Sequence, residues 1–326
     1  MDSPLYSALL EAAADDIADG GVIGTLVADW SGDPRNDALP LRVLGATHLL
    51  ALDGRAPALA EHYPSAGGRP RGTVAAVFLR TVAEHFDEIR SRLRYPPQTN
   101  EVGRSAIVFG GLLELTALLG SPIRLFEVGA SAGLNLNLDR FHYALGDIES
   151  GEPGSSVKIE SRWTGLLPNT THLLDVSERR GCDTSPLDVS NDADMLRLQS
   201  YVWPDQIDRL TRMRSAIALT RRHPVEVESA HAADWVSTSV APRSGDVTVL
   251  MHTVVMQYID AEGRKEFNTS VRTLASNAAR DAPLAWLRFE PGQDAFELRL
   301  SVYPHGLELL LAEAQPHGRW VKWLPR

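Results

Sequence analysis

The residues from 127 to 133 have the types and spacing of a loop that holds a nucleotide-type ligand. After Glu127 and Val128 come five small residues, Gly129, Ala130, Ser131, Ala132 and Gly133. Small residues let the backbone approach a ligand closely, and the start of a following helix offers unpaired N–H groups. Glu127 ends an apolar run that reads as a buried strand, where a carboxylate needs a partner such as a cation or a hydroxyl group. We therefore expect a ligand to bind here.

Three kinds of loop match this stretch. The dinucleotide pattern G-x-G-x-x-G requires glycine where the chain has Ser131 and Leu134. The nucleophile elbow G-x-S-x-G matches 129–133 and would make Ser131 the nucleophile of an α/β-hydrolase. The first motif of S-adenosylmethionine-dependent methyltransferases, acid-x-G-x-G-x-G, matches with Ser131 in place of its middle glycine. We favour the methyltransferase motif because it accounts for Glu127 as well as for the turn.

Later strands are predicted to end in further cofactor contacts. Asp183 follows the second predicted strand of the sheet, where an acid takes ribose hydroxyls, and Asp188 is the second candidate. Asp234 and Trp235 follow the next strand, where they would contact the amino group and the ring of an adenine. Structural interpretations stay open, namely a surface turn for Asp183 and a helix cap followed by a core tryptophan for the other two.

Two candidates for catalysis come from different parts of the chain. His252 ends an apolar run, and the carboxyl end of a central strand is where open α/β sheets bind ligands. An imidazole titrates near neutral pH, which suits a general base, although a lone histidine is often structural. Glu101 is the second candidate base, and with Asn100 and Arg104 it is predicted to shape a substrate pocket. The alternative for that polar stretch is a helix-capping loop.

Composition excludes several classes of protein. The chain has 326 residues, a formal net charge of −10 and 44% hydrophobic residues, which is typical of a globular protein with a full core. The negative charge argues against a general nucleic-acid binder. The single cysteine, Cys182, excludes an intramolecular disulfide and a thiolate metal cluster, and we expect no metal and a cytoplasmic location. No signal peptide or membrane span is expected, and the oligomeric state stays open.

The chain is predicted to form an α/β protein in two parts. Residues 1–120 carry helical patterns and are predicted to be an N-terminal helical cap domain. Residues 121–326 are predicted to be a doubly wound sheet domain with a β insertion at 144–172. The runs 298–303 and 319–324 alternate and are expected to close the sheet as an antiparallel pair.

Several blocks of this chain resemble one bacterial family of unknown function, DUF2332, which is grouped with class I S-adenosylmethionine-dependent methyltransferases. The blocks are 98–105, 127–136 with Asp139 and Arg140, 181–183 with 186–188, and 202–205. The resemblance covers the chain from about residue 5 onward. It implies a Rossmann-like, seven-stranded sheet with an N-terminal helical part, and S-adenosyl-L-methionine as the cofactor. It does not name a substrate.

The favoured hypothesis is a methyltransferase that acts on an oxygen or a nitrogen of a small-molecule acceptor. An α/β-hydrolase is one alternative, in which Ser131, Asp234 and His252 follow the chain order of that fold's triad. Both His-Gly pairs of the sequence, however, lie far downstream of Ser131 and supply no oxyanion motif. A relative that binds a nucleotide without turnover is the other alternative, because a fold does not fix a function.

Overall fold

A computed structural model of the protein describes residues 3–120, 122–168 and 174–325. It has two compact units. The helical unit comprises Met1–Thr99 and Ser190–Arg214, and the sheet unit comprises Asn100–Val189 and Ser215–Arg326. The domain boundary at residue 120 stays a prediction. Among the described residues the α-helices are α1 Pro4–Ala18, α2 Val22–Val27, α3 Leu39–Leu52, α4 Pro57–Ala60, α5 Val74–Glu84, α6 Phe86–Arg92, α7 Ser105–Leu119, α8 Asp192–Ser200, α9 Ile207–Arg222, α10 Ala232–Ser239 and α11 Ala261–Ser276.

The helical unit is held together by an apolar core and by buried polar contacts. Ser3 caps α1 by accepting the N–H of Tyr6 at 3.0 Å, and the ring of Tyr6 packs 5.6 Å from that of Trp203. His48 of α3 lies 2.9 Å from the carbonyl oxygen of Ser200 and 2.7 Å from Oγ of Ser65. These contacts explain why the segment from 190 to 214 belongs to this unit.

The sheet unit contains one mixed sheet. Its strands are β1 Ile123–Val128, β2 His142–Leu145, β3 Ile148–Gly151, β4 Lys158–Gly165, β5 Val176–Asp183, β6 Glu226–Ser229, β7 Val247–Thr253, β8 Leu284–Pro291, β9 Phe296–Tyr303, β10 Leu307–Ala314 and β11 Trp320–Trp323. The strand order is β3-β2-β4-β11-β10-β9-β8-β7-β1-β5-β6. The prediction of an α/β fold is confirmed.

The expected strand number of seven is wrong, because the described sheet has eleven strands. The predicted insertion at 144–172 contributes to this difference, since β2, β3 and β4 pair into the sheet through β11. Residues 169–172 of that insertion lie outside the described residues. The expected pairing of 298–303 with 319–324 is also wrong, because β10 lies between β9 and β11 and pairs with both.

Five neighbouring strands, β6-β5-β1-β7-β8, run parallel. The chain adds β5 and then β6 on one side of β1, and afterwards adds β7 and β8 on the other side. The order of addition therefore reverses between β1 and β7. In open α/β sheets a crevice forms at such a reversal, outside the carboxyl ends of the strands.

Helix α7 is the core of the sheet unit. It is buried on every side from Ser105 to Leu115, as expected for a helix with apolar residues all round. Two adjacent glycines allow close packing, because a Cβ on Gly110 would lie 2.5 Å from the ring of Trp163, and one on Gly111 would lie 2.8 Å from Leu287. Residues Val102–Leu119 have the length and hydropathy of a membrane span, but 72% of that stretch is buried inside the protein.

Candidate functional site

The loop after β1 turns through three residues with positive φ. They are Gly129 at 72°, Ser131 at 54° and Gly133 at 70°. Glycine adopts this region without steric cost, whereas Ser131 does not. A Cβ on Gly129 would lie 2.3 Å from Cγ2 of Val255, so the loop packs directly against the segment that follows β7. The loop therefore lies at the reversal of strand order.

Asp183 and Cys182, at the end of β5, hold this loop in place through hydrogen bonds. Oδ2 of Asp183 accepts the N–H of Ser131 at 3.0 Å, and Oδ1 accepts the N–H of Ser185 at 2.9 Å. The carbonyl oxygen of Cys182 accepts the N–H groups of Gly129 and Ala130 at 2.8 and 3.0 Å. A carboxylate has about four acceptor sites, so Asp183 keeps capacity for further hydrogen bonds. Its role toward a ribose stays a prediction.

Glu127 is a buried carboxyl group at the carboxyl end of β1. Its side chain is 2% exposed, and Oε2 has no hydrogen-bond partner. Burial raises the pKa of Glu127 to about 8; the negative charge of Asp183 also raises the pKa, and the positive charge of Arg104 opposes the change. The group is therefore mainly protonated at neutral pH. A cationic ligand against Oε2 would reverse this by favouring the carboxylate.

The polar stretch before α7 contacts the residues that follow the loop. Oδ1 of Asn100 accepts the N–H of Leu134 at 2.9 Å, and the carbonyl oxygen of Glu101 accepts Nδ2 of Asn135 at 3.3 Å. The structure thus brings Asn100 and Glu101 beside the loop. Arg104 extends the same cluster by donating to the carbonyl oxygens of Pro316 at 2.9 Å and Thr253 at 3.4 Å.

Glu101 has an imidazole partner that the sequence did not reveal. Oε1 of Glu101 accepts the N–H of Gly103 at 3.0 Å, and Oε2 lies 3.2 Å from Nδ1 of His317. The contact between Oε2 and Nδ1 is an ion pair when the imidazole is protonated, and Nδ1 of His317 makes no hydrogen bond to a described residue. His317 is 216 residues away in sequence, in the turn before β11, and no local pattern indicates it.

His252 is fixed by Glu290 at the end of β8. Nδ1 of His252 lies 2.6 Å from Oε1 of Glu290, which also accepts the N–H of Val255 at 2.9 Å. A carboxylate only accepts, so Nδ1 carries a hydrogen, and in the neutral imidazole Nε2 is then the acceptor. Val254, which directly precedes Val255, has φ of 58°. A positive φ is rare for a β-branched residue, and such strained conformations cluster at functional sites.

The surroundings of His252 are aromatic and closed. Its side chain is 1% exposed, and its ring lies 5.7 Å from that of Phe267 and 6.0 Å from that of Trp286. The pairing register aligns Val128 with His252 and Glu127 with Met251. Because successive side chains point to opposite faces, Glu127 and His252 lie on opposite faces of the sheet.

The structure places Asp234 and Trp235 in different environments. Asp234 is exposed in the first turn of α10. Trp235 is 1% exposed, packs against Phe126 at 6.0 Å and donates its indole N–H to Glu228 at 2.8 Å. The ring of Trp235 is thus a core residue with no open face, and we leave it out of the proposed site.

Three buried polar atoms without hydrogen-bond partners lie in the elements at this edge. They are Oε2 of Glu127, Oδ1 of Asn135 and Nε2 of His252. Such atoms cost free energy unless a ligand or another group satisfies them. Within the described ranges, no group of three or more His, Cys, Asp or Glu side chains is arranged to hold a metal ion.

The sequence profile of one family matches nearly the whole chain. Residues 1–323 match the family described as "Uncharacterized protein conserved in bacteria (DUF2332)". The chain belongs to this family. The comparison with curated proteins gives no match. Among solved structures, one described as "DhpI-SAH complex structure" is 13% identical, with 72% of this chain and 76% of that chain covered and a TM-score of 0.24. A TM-score this low does not establish a shared fold.

Proposed function

We propose that this DUF2332 protein is an S-adenosyl-L-methionine-dependent methyltransferase that acts on an oxygen or a nitrogen of a small-molecule acceptor. The observation that carries the proposal is the buried carboxyl group of Glu127, whose Oε2 has no partner, beside a small-residue loop at the reversal of strand order. Open α/β sheets bind nucleotide cofactors at this point. The methionine end of this cofactor supplies the cation that such a carboxyl group needs.

The residues at this edge suit the cofactor in type and position. Glu127 would hold the ammonium group, and the backbone of the loop from Gly129 to Gly133 would pass under the methionine and ribose parts. Asp183 would accept hydrogen bonds from ribose hydroxyls at the carboxylate positions that do not bind the loop. Asp234 would accept a hydrogen bond from the adenine amino group. The cofactor, when bound, supplies an electrophilic methyl group. The protein holds the acceptor in line with that group and excludes water.

Two acid–imidazole pairs are candidates for taking the acceptor's proton. In the first, Glu290 holds the tautomer of His252 that leaves Nε2 as the acceptor. In the second, Glu101 lies against His317, next to Asn100 and Arg104. We propose His252 as the base and Glu101 as the second candidate, since the carboxyl end of β7 adjoins the loop through Val255. Because His252 is buried on the face of the sheet opposite Glu127, this role requires a movement of the segment after β7 that opens Nε2 to the acceptor. The residues around Glu101 would then shape the acceptor pocket.

The hydrolase alternative receives no support from the geometry. A triad of Ser131, His252 and Asp234 needs the aspartate to hold Nδ1 of the histidine. In this protein Glu290 holds that nitrogen, and Asp234 is exposed on α10. A relative that binds the nucleotide without turnover is separated from a methyltransferase by the experiment below.

Isothermal titration calorimetry with S-adenosylhomocysteine tests the proposal. We expect saturable binding with one site per chain and a loss of affinity in Glu127→Gln, which removes the charge that the ammonium group needs. Glu266→Gln is the matched control, because it removes an exposed carboxylate on α11. No binding by the wild type at high micromolar ligand would refute the cofactor assignment. Binding without methylation across a broad screen of alcohols, phenols and amines would favour the non-catalytic relative.

A further inference from the structure

A second candidate binding region is a cavity in the sheet unit, away from Glu127. It has a volume of about 530 Å³ and adjoins the end of the 3₁₀ helix Leu134–Arg140, near the last residues of α9. Its lining includes two guanidinium groups, those of Arg140 and Arg222, together with His223. The hydroxyl groups of Ser150, Ser155 and Ser156 lie in the same lining. The cavity thus combines cations with hydrogen-bond donors.

The carboxylates of the cavity make no direct contact with its two guanidinium groups. Asp139 is held by Arg179 through two parallel contacts of 3.1 Å, and its charge also acts on Arg140 and His223 at longer range. Glu152 is exposed, and its Oε1 accepts the N–H of Gly154 at 3.4 Å. Within the described parts of the chain, neither Arg140 nor Arg222 has a carboxylate oxygen within 4.0 Å of its guanidinium group. The guanidinium groups of Arg140 and Arg222 therefore line the cavity without a direct carboxylate contact.

Of the two arginines, Arg140 gives the stronger evidence for an anion site. Its side chain is partly buried, and its Nε is buried without a hydrogen-bond partner. A buried N–H of a charged group is costly when it is not satisfied. An oxyanion satisfies it well, because a guanidinium group donates to phosphate and carboxylate oxygens through charge-assisted hydrogen bonds.

The end of α9 is tied to the element that carries Arg140. Arg222 is the last residue of α9. The carbonyl oxygen of His223 accepts Nδ2 of Asn137 at 3.0 Å, which ties the end of α9 to the 3₁₀ helix. Asn137 is fully buried. The two arginines thus line one cavity from elements that are hydrogen-bonded to each other.

We propose that this cavity binds a small molecule that carries an oxyanion, either a phosphate or a carboxylate. Arg140 and Arg222 contact the anion, and the serine hydroxyls donate to its remaining oxygens. The apolar side chains of Phe109 and Leu219 also line the cavity and suit an uncharged remainder of the ligand. This assignment is independent of the proposed cofactor site, because it uses other residues.

Titration with inorganic phosphate and with benzoate, at constant ionic strength, tests the assignment in the full-length protein. We expect one saturable site for at least one of the two anions, measured by calorimetry. Arg140→Gln and Arg222→Gln should each weaken binding about ten- to hundredfold, the usual loss for a hydrogen bond to a charged group. The matched control is Arg272→Gln on α11, which removes an exposed positive charge outside the cavity and should leave binding unchanged.

The outcomes either identify the source of the anion or refute the proposal. Tighter binding of phosphate assigns a phosphorylated ligand, and tighter binding of benzoate assigns a carboxylate. The proposal is overturned if neither anion saturates at about 20 mM, which is far weaker than a built two-arginine site predicts. It is also overturned if Arg272→Gln weakens binding as much as Arg222→Gln. Arg222 is exposed, so Arg222→Gln should have the melting temperature of the wild type. If Arg140→Gln does not fold, Arg222→Gln still tests the proposal.

Discussion

Ligand binding should force a proton off Glu127. With a pKa of about 8, this carboxyl group is roughly 90% protonated at pH 7 when no ligand is bound. The ammonium group of S-adenosylhomocysteine favours the carboxylate, so binding at pH 7 should release about 0.9 proton per site. Calorimetric titration at pH 7 in two buffers of different ionisation enthalpy measures this number directly.

The same linkage sets the pH dependence of affinity. Between pH 6 and pH 7.5 the affinity should rise nearly tenfold per pH unit, which is about 1.4 kcal/mol, because less free energy is spent on removing the proton. Glu127→Gln keeps the size of the side chain but cannot ionise. It should bind more weakly at pH 7.5, lose the pH dependence and release almost no proton. Strong binding by the wild type with no proton release and a flat pH profile would show that Glu127 does not meet the cation.

Four further predictions concern other residues. Asp183→Ala should weaken S-adenosylhomocysteine binding by about 1.5–3 kcal/mol, through lost hydrogen bonds to the ligand and a loosened loop, and an unchanged dissociation constant would contradict both roles. Gly129→Val should lower the melting temperature, because its φ is 72° and its Cβ would overlap Val255; normal melting would contradict the loop geometry. His252→Ala should lower methyl transfer by roughly 10²–10⁴-fold in single-turnover assays with little change in S-adenosylhomocysteine affinity, whereas a structural histidine would lower only stability. Burial lowers the pKa of His48 from 6.5 to about 4, so the free energy of unfolding should fall by up to about 1.4 kcal/mol per pH unit as the pH drops from 6.5 to 4; His48→Gln should lack that dependence in denaturant titrations.

Local patterns in the sequence were sufficient for the turn after β1. The run from Glu127 to Gly133 predicts the strand end, the small-residue loop and the buried carboxyl group, and all three are found there. These features depend on residues that are neighbours in the chain. The prediction for Trp235 depends instead on which side of α10 faces the core, and the sequence left that choice open.

The partners of the two candidate bases could not be predicted. Glu290 meets His252 because β8 lies beside β7, and this register is a property of the whole sheet. His317 meets Glu101 because the turn before β11 returns to the start of α7. The number of strands was missed for a similar reason. Residues 307–314 form β10 although Leu309, Leu310 and Leu311 are consecutive and hide the alternation expected of a strand.

The burial of α7 couples distant strands of the sheet unit to the residues before the helix. Phe109 of α7 stacks on Tyr143 of β2 at 4.1 Å, while Gly111 packs against strands in the middle of the sheet. Strands near one edge and strands at the centre therefore enclose the same helix. Because interiors are densely packed, a change of side-chain volume on α7 is felt by strands at both positions. Glu101 and Arg104 lie just before or at the start of α7, so such a change should also shift the residues proposed to shape the acceptor pocket.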